Sequence, residues 1–343
     1  MSTHQAVHVQ SAGDALKLVD VDTPATPRDH VRIQVAACGV CGTDRAFVGG
    51  GFPGLTWPLT PGHEIAGTIA ELGVGVGVGV GVDNFAVGDR VAVGWFGGNC
   101  ATCIPCRKGD FIHCANMQVP SWHYPGGYAE SVTVPANALA RVPDGLTLAE
   151  AAPMGCAGVT TFHALRESRA TPGDRVAILG IGGLGHLGVQ FARAMGFETI
   201  AIARGAGKAD DARALGAHHY IDSTSEDVSE ALGRLGGASV VLGTAASAQA
   251  MAETIGGLAP RGELITIGVT PEPLPISPLQ LIGPGLSVIG HPSGTARDIE
   301  DTMHFAVQSG VRARTQELPL DRAAEAYADM DQGRARYRMV LTI

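Results

Sequence analysis

Cys100, Cys103, Cys106 and Cys114 form a C-x2-C-x2-C-x7-C array within fifteen residues, a density of soft ligands that suits one tetrahedral zinc ion. Two-residue spacers let a turning backbone present successive thiolates to the same ion. The competing reading is a redox or disulfide framework. An odd count of seven cysteines, in a chain that reads as non-secreted, favours metal.

Cys38, Cys41 and Cys156 are left over. Cys41 opens C-G-T-D, His63 and Glu64 lie in P-G-H-E, and Cys156 sits in M-G-C-A-G-V-T. Two thiolates and an imidazole with an open fourth position make a catalytic zinc set, whereas four cysteines make a closed, structural one. Taken alone His63 reads as a core or surface histidine; its company makes it a candidate ligand. A third constellation is R-V-A-I-L-G-I-G-G-L-G-H, where the apolar run Val176 to Leu179 feeds Gly180-x-Gly182-x-x-Gly185 and then a helix-like stretch through Met195. Strand, tight glycine turn and helix N-terminus together suit a dinucleotide pyrophosphate, with Gly183 and Leu184 inside the loop.

These motifs, in this order, resemble the zinc-dependent medium-chain alcohol dehydrogenases, closest to the yeast and bacterial type, over nearly the whole chain. The resemblance implies a GroES-like catalytic domain and a Rossmann domain. It also implies two zinc ions per chain and hydride transfer between an alcohol, or an aldehyde or ketone in reverse, and a nicotinamide. Zinc would act as Lewis acid on the substrate oxygen. By motif position Asp44 would hold the second nitrogen of His63, Glu64 could approach the zinc, and Thr43 resembles the hydroxyl that takes the substrate proton. Thr160, Ile267, Gly268 and Val269 resemble nicotinamide contacts, and Arg338 a pyrophosphate-binding arginine. Phe52, Trp95 and Trp122 align with substrate-pocket positions.

Two positions depart from the pattern. Gly42 stands where many members carry a basic residue toward the pyrophosphate, and Ala46 where others have a proton-relaying histidine. NAD-specific relatives place an acid near Ala203; here a small residue is followed by Arg204, with Lys208 close behind, so NADP is expected ahead of NAD, which stays usable. The alternatives are a polyol-type dehydrogenase, a zinc-independent quinone reductase relative, and a non-catalytic zinc-stabilised interaction protein. Cys156 and the joint presence of Cys41 and His63 weigh against the first two. Resemblance further implies a homotetramer, or a homodimer as the second choice.

The elements that must carry these residues follow from composition and pattern. The chain has 343 residues, 45% hydrophobic, enough for two cores. A net charge of −9 gives no nucleic-acid footprint, and no apolar run reaches the roughly 18 to 20 residues of a membrane span. Met1 to Gln10 lacks a basic start before an apolar stretch, so a cytoplasmic protein with reduced thiols is expected. Short β-type runs such as Val31 to Ala36 and Arg90 to Val93 mark a β-rich catalytic domain over 1–148. An alternation of strands at Val176 to Leu179, Thr199 to Ala203, Val240 to Leu242 and Leu264 to Ile267 with helices such as Ala206 to Leu215 predicts a doubly wound parallel sheet over 149–289. Resemblance returns 290–343 to the catalytic domain, giving an α/β protein overall. The five Gly-Val pairs from Gly73 to Val82 are expected to be a loop, since glycine at every second residue weakens a strand.

Overall fold

The structure is a computed structural model that describes residues 2–76 and 85–343. Most of the Gly-Val run therefore lies outside the described residues; Gly73 to Val76 enter a turn. The chain divides into two compact units, Met1–Val159 with Ser293–Val307 and Arg312–Ile343, and Thr160–Pro292 with Gln308–Val311. The first crossing lies between Val159 and Thr160, later than the boundary expected at 148/149, because the segment carrying Cys156 packs with the first unit's strands.

The first unit is built on a seven-stranded sheet whose centre is the long strand His30–Val40. Its buried positions Val31, Ile33 and Val35 alternate as a half-buried strand requires. Its last residues are buried on both faces because the strand runs on into the ligand cluster. It pairs antiparallel with Ile65–Leu72, Ser131–Pro135 and Arg338–Thr342, so residues near Cys41, His63 and Arg338 converge from three neighbouring strands. Arg90–Val93 pairs with Ile65–Leu72, and Thr315–Pro319 adds in parallel to Arg338–Thr342.

The second unit is a six-stranded parallel sheet in the order His219–Asp222, Glu198–Ala203, Arg175–Leu179, Ala238–Gly243, Leu258–Thr266, Ser287–Gly290. The order reverses beside Arg175–Leu179, the first of the six in sequence, and dinucleotides bind at the carboxyl ends of strands at such a switch point. Leu264 and Ile265 are buried in Leu258–Thr266, but Ile267 lies just beyond its end. No helix among the described residues is long and apolar enough to cross a membrane.

Candidate active site and metal centres

Cys41 leaves the end of His30–Val40, and Asp44 opens the five-residue helix Asp44–Val48. That turn folds the Asp44 carboxylate back so that Oδ2 accepts from the Cys41 amide at 2.9 Å while Oδ1 meets His63 Nδ1 at 3.0 Å. All of Asp44, His63 and Glu64 are fully buried. Because a carboxylate only accepts, His63 donates from Nδ1, and its buried Nε2, which has no hydrogen-bond partner, is the atom that would offer a lone pair to a metal on giving up its proton. An orphaned buried polar atom costs about 1–3 kcal/mol, a penalty that coordination of a metal would offset.

The ligand atoms of Cys41, His63, Glu64 and Cys156 all lie within 4.8 Å of one another. A zinc–sulfur tetrahedron has an edge of about 3.8 Å, so the set fits one ion. The two thiols already differ in acidity: the hydrogen bond from Cys156 holds Cys41 well below the usual thiol range, and the same bond together with burial pushes Cys156 up. Burial lowers His63, but the Asp44 charge and the Cys41 thiolate outweigh it, and His63 is raised well above its ordinary value. Burial carries Glu64 up to about 7 against the opposing pull of Arg338.

Arg338 is 3% exposed, and its Nη2 is ion-paired with Glu64 Oε2, because strand Arg338–Thr342 lies beside the strand that leads to Cys41. Glu64 Oε1 stays without a partner, and Gly39 is needed to make room, since a Cβ there would stand 2.0 Å from Glu64 Oε2.

The four-cysteine lobe is a second, separate set. Its sulfurs fall within 4.8 Å of one another, with Cys114 at 3.5 Å from Cys100 and 3.8 Å from Cys103. A disulfide needs about 2.05 Å, so these spacings fit a tetrahedral cage and disfavour the disulfide reading. The amides of Cys100 and Asn116 both donate to Cys114 Sγ at 3.3 Å. Hydrogen bonds from Asn116 and Thr102 bring Cys100 down to about 5, while burial and neighbouring sulfurs push Cys106 up to about 12. Sulfurs this close cannot all ionise without a cation between them.

In the second unit the glycine fingerprint has the shape its sequence implies. Gly180 takes φ +94°, and a Cβ on Gly185 would sit 1.7 Å from the Gly180 carbonyl, so both positions require glycine. Around Gly182 nothing lies within 4 Å of the missing Cβ, which leaves that side of the backbone open to a phosphate. Gly183 and Leu184 complete the loop before helix Gly185–Ala194. Thr160 is nearly buried in helix Ala157–Arg166, Ile267 is nearly buried, Gly268 is half-buried and Val269 is 82% exposed.

The family model described as Alcohol dehydrogenase GroES-like domain matches residues 27–144, and that described as Zinc-binding dehydrogenase matches 183–308. The chain is 40% identical over 346 residues to alcohol dehydrogenase patD of Penicillium expansum, covering 100% of this chain and 98% of that one. It superposes on a cinnamyl alcohol dehydrogenase of Sorghum bicolor with a TM-score of 0.90 at 27% identity, covering 99% and 98% of the two chains. A Helicobacter pylori CAD solved in complex with NADP(H) gives 0.86 at 26% identity, again over 99% and 98%. The chain belongs to the zinc-dependent medium-chain alcohol dehydrogenases.

Membership in this dehydrogenase family does not favour the polyol, quinone-reductase and interaction-protein alternatives. It also gives the first unit's aromatic cluster a context. Phe52 stacks on Trp122 at 4.6 Å, and Trp95 stands edge-on to His63 at 5.5 Å, so the three residues expected to line a pocket share one cluster beside His63. Sequence reasoning missed its centre, Phe47, which touches Phe52, Trp95 and His63. The available signal was its place three residues after Asp44, on the same short helix. Tyr128 was also missed.

Proposed function

We propose that this dehydrogenase oxidises alcohols, or reduces aldehydes and ketones, with one zinc on Cys41, His63 and Cys156, a second on Cys100, Cys103, Cys106 and Cys114, and NADP preferred over NAD. The observation that carries this reading is the buried, unpartnered His63 Nε2 among two thiol sulfurs and a carboxylate. Zinc bound there would supply a Lewis acid for the substrate oxygen, and the nicotinamide would carry the hydride.

The chain's own residues do the rest. Asp44 fixes the orientation of His63. The Thr43 hydroxyl lies 3.8 Å from Cys41 Sγ and is not engaged in capping its helix, so it is available to take the substrate proton. Phe47, Phe52, Trp95 and Trp122 exclude water and favour apolar or aromatic substrates. Gly180, Gly182, Gly183, Leu184 and Gly185 cradle the pyrophosphate, while Thr160, Ile267, Gly268 and Val269 contact the nicotinamide.

The NADP preference rests on the end of strand Glu198–Ala203. Ala203 brings no acid there, and the next turn is pinned by Asp222 Oδ1, which accepts from the Gly205 amide at 2.7 Å. Arg204 is exposed and makes no hydrogen bond or ion pair among the described residues. Lys208 Nζ donates to the Ile181 carbonyl at 2.8 Å, so it braces the glycine loop and leaves Arg204 to meet a 2′-phosphate. A charge-assisted bond of roughly 1.5–3 kcal/mol corresponds to about 10- to 150-fold in favour of NADP.

A homotetrameric assembly and a cytoplasmic location belong to the same reading. An apolar sheet edge supports the first: Val288 and Ile289 are exposed on the edge strand Ser287–Gly290, and Leu279 and Ile282 on the helix before it. The second is supported by seven cysteines with no disulfide among them. A panel of primary, secondary and aromatic alcohols with both cofactors, read as kcat/KM, tests the activity. Higher values with NAD would overturn the preference, and Ala203→Asp should move the ratio toward NAD.

A further inference from the structure

Tyr128 is fully buried, 84 residues from Asp44 in sequence, yet its hydroxyl donates to Asp44 Oδ2 at 2.9 Å. The Cys41 amide donates to that same oxygen, and His63 Nδ1 meets the other. With two donors on Oδ2 and one on Oδ1, the carboxylate cannot rotate without breaking bonds at both ends. The loop holding Tyr128 also grips the loop before His63: the amides of Gly126, Gly127 and Tyr128 donate to the carbonyls of Thr60, Gly62 and Pro61 at 2.9, 2.8 and 3.0 Å. Gly62, at φ +102°, lies so close to the tyrosine ring that a Cβ there would stand 2.4 Å from Tyr128 Cδ1.

We propose that Tyr128 is a positioning residue for the metal centre: it locks the Asp44 carboxylate, which in turn holds His63 with Nε2 turned toward Cys41 and Cys156. This rests on the reading that Cys41, His63 and Cys156 bind zinc. Groups that orient a ligating histidine in this way commonly contribute 10- to 100-fold in metal affinity or activity. The role lies outside the ligands and outside the substrate pocket, and the hydroxyl exerts it through Asp44.

The test is zinc affinity of the whole protein, measured by competition with a chromogenic chelator, together with the visible spectrum after cobalt replaces zinc on Cys41, His63 and Cys156. Tyr128→Phe should release that site's zinc at about 10-fold lower chelator concentration and shift the cobalt bands, while the four-cysteine zinc is retained. Tyr124→Phe, which removes a part-buried hydroxyl bonded instead to the Gly97 carbonyl at 2.9 Å, should change neither. In an Asp44→Asn background Tyr128→Phe should add nothing further. Equal affinity in wild type and Tyr128→Phe, or equal losses in the two tyrosine variants, would overturn the proposal. A wild type carrying only one zinc would instead overturn the metal reading beneath it. Should Tyr128→Phe fail to fold, 3-fluorotyrosine at position 128 keeps the ring and donates more strongly; it should tighten zinc retention, and unchanged retention would overturn the proposal equally.

Discussion

Thr43 and Ala46 flank the start of one short helix, and only the first can carry a proton. Thr43→Val keeps the shape and removes the hydroxyl, so kcat should fall by about 10²-fold or more, the range for losing a positioned proton-transfer group, with little change in cofactor affinity. Stopped-flow turnover beside a fluorescence titration of reduced cofactor checks both halves; normal turnover would rule out this proton route. The two sulfur sets share no residue and should fail differently. Cys156→Ser should leave a folded, cofactor-binding chain with one zinc and collapsed turnover. Cys103→Ser should lower the thermal midpoint first, since a closed zinc site contributes folding free energy directly. Elemental analysis finding a single zinc in a fully active, fully folded wild type would contradict the assignment.

Among the elements, two glycines make opposite demands. A Cβ on Gly94 would stand 1.7 Å from the Gly155 carbonyl, immediately before Cys156. Gly94→Ala must therefore push the 3-10 turn Ala152–Gly155 off strand Arg90–Val93. We expect a loss of stability of about 1–3 kcal/mol, typical of overpacking, and loss of zinc from the Cys41 site with the four-cysteine zinc intact. Gly182→Ala meets open space, so its thermal midpoint should match wild type while cofactor binding weakens. A calorimetric scan with zinc analysis separates the two cases. The strands themselves were unevenly legible. Arg90–Val93 and Glu198–Ala203 show plain β-type runs, but the first half of Leu258–Thr266 is hidden by Pro260, Gly262 and a left-handed Arg261 at φ 65°. The four-residue edge strands His219–Asp222 and Ser287–Gly290 have one partner each and too few residues to show a period.

For the whole molecule, the exposed apolar edge at Ser287–Gly290 bears on assembly. Unpaired strand edges lined with valine and isoleucine invite pairing with another chain, and a lysine on such an edge blocks it. Val288→Lys should therefore reduce the particle mass measured by light scattering without lowering the zinc content of either site. An unchanged mass would mean that the assembly uses another surface. Both candidate ligand sets lie within the first unit, so zinc analysis reads out that unit independently of the strand edge.

Six of the seven cysteines, one P-G-H-E and one glycine fingerprint were enough to point to zinc and a dinucleotide, because ligand softness, deprotonation and backbone freedom are properties of residue types at short spacing. Contacts between distant residues had no such signal. Arg338 meets Glu64 across 274 positions, Tyr128 reaches Asp44 across 84, and Trp95 stands against His63 only because strand Arg90–Val93 pairs with Ile65–Leu72. These partners are chosen by strand register and by glycines that allow close approach, so they exist only once the sheet has formed. The types of the ligands were local information; how those ligands are held was decided by the tertiary structure.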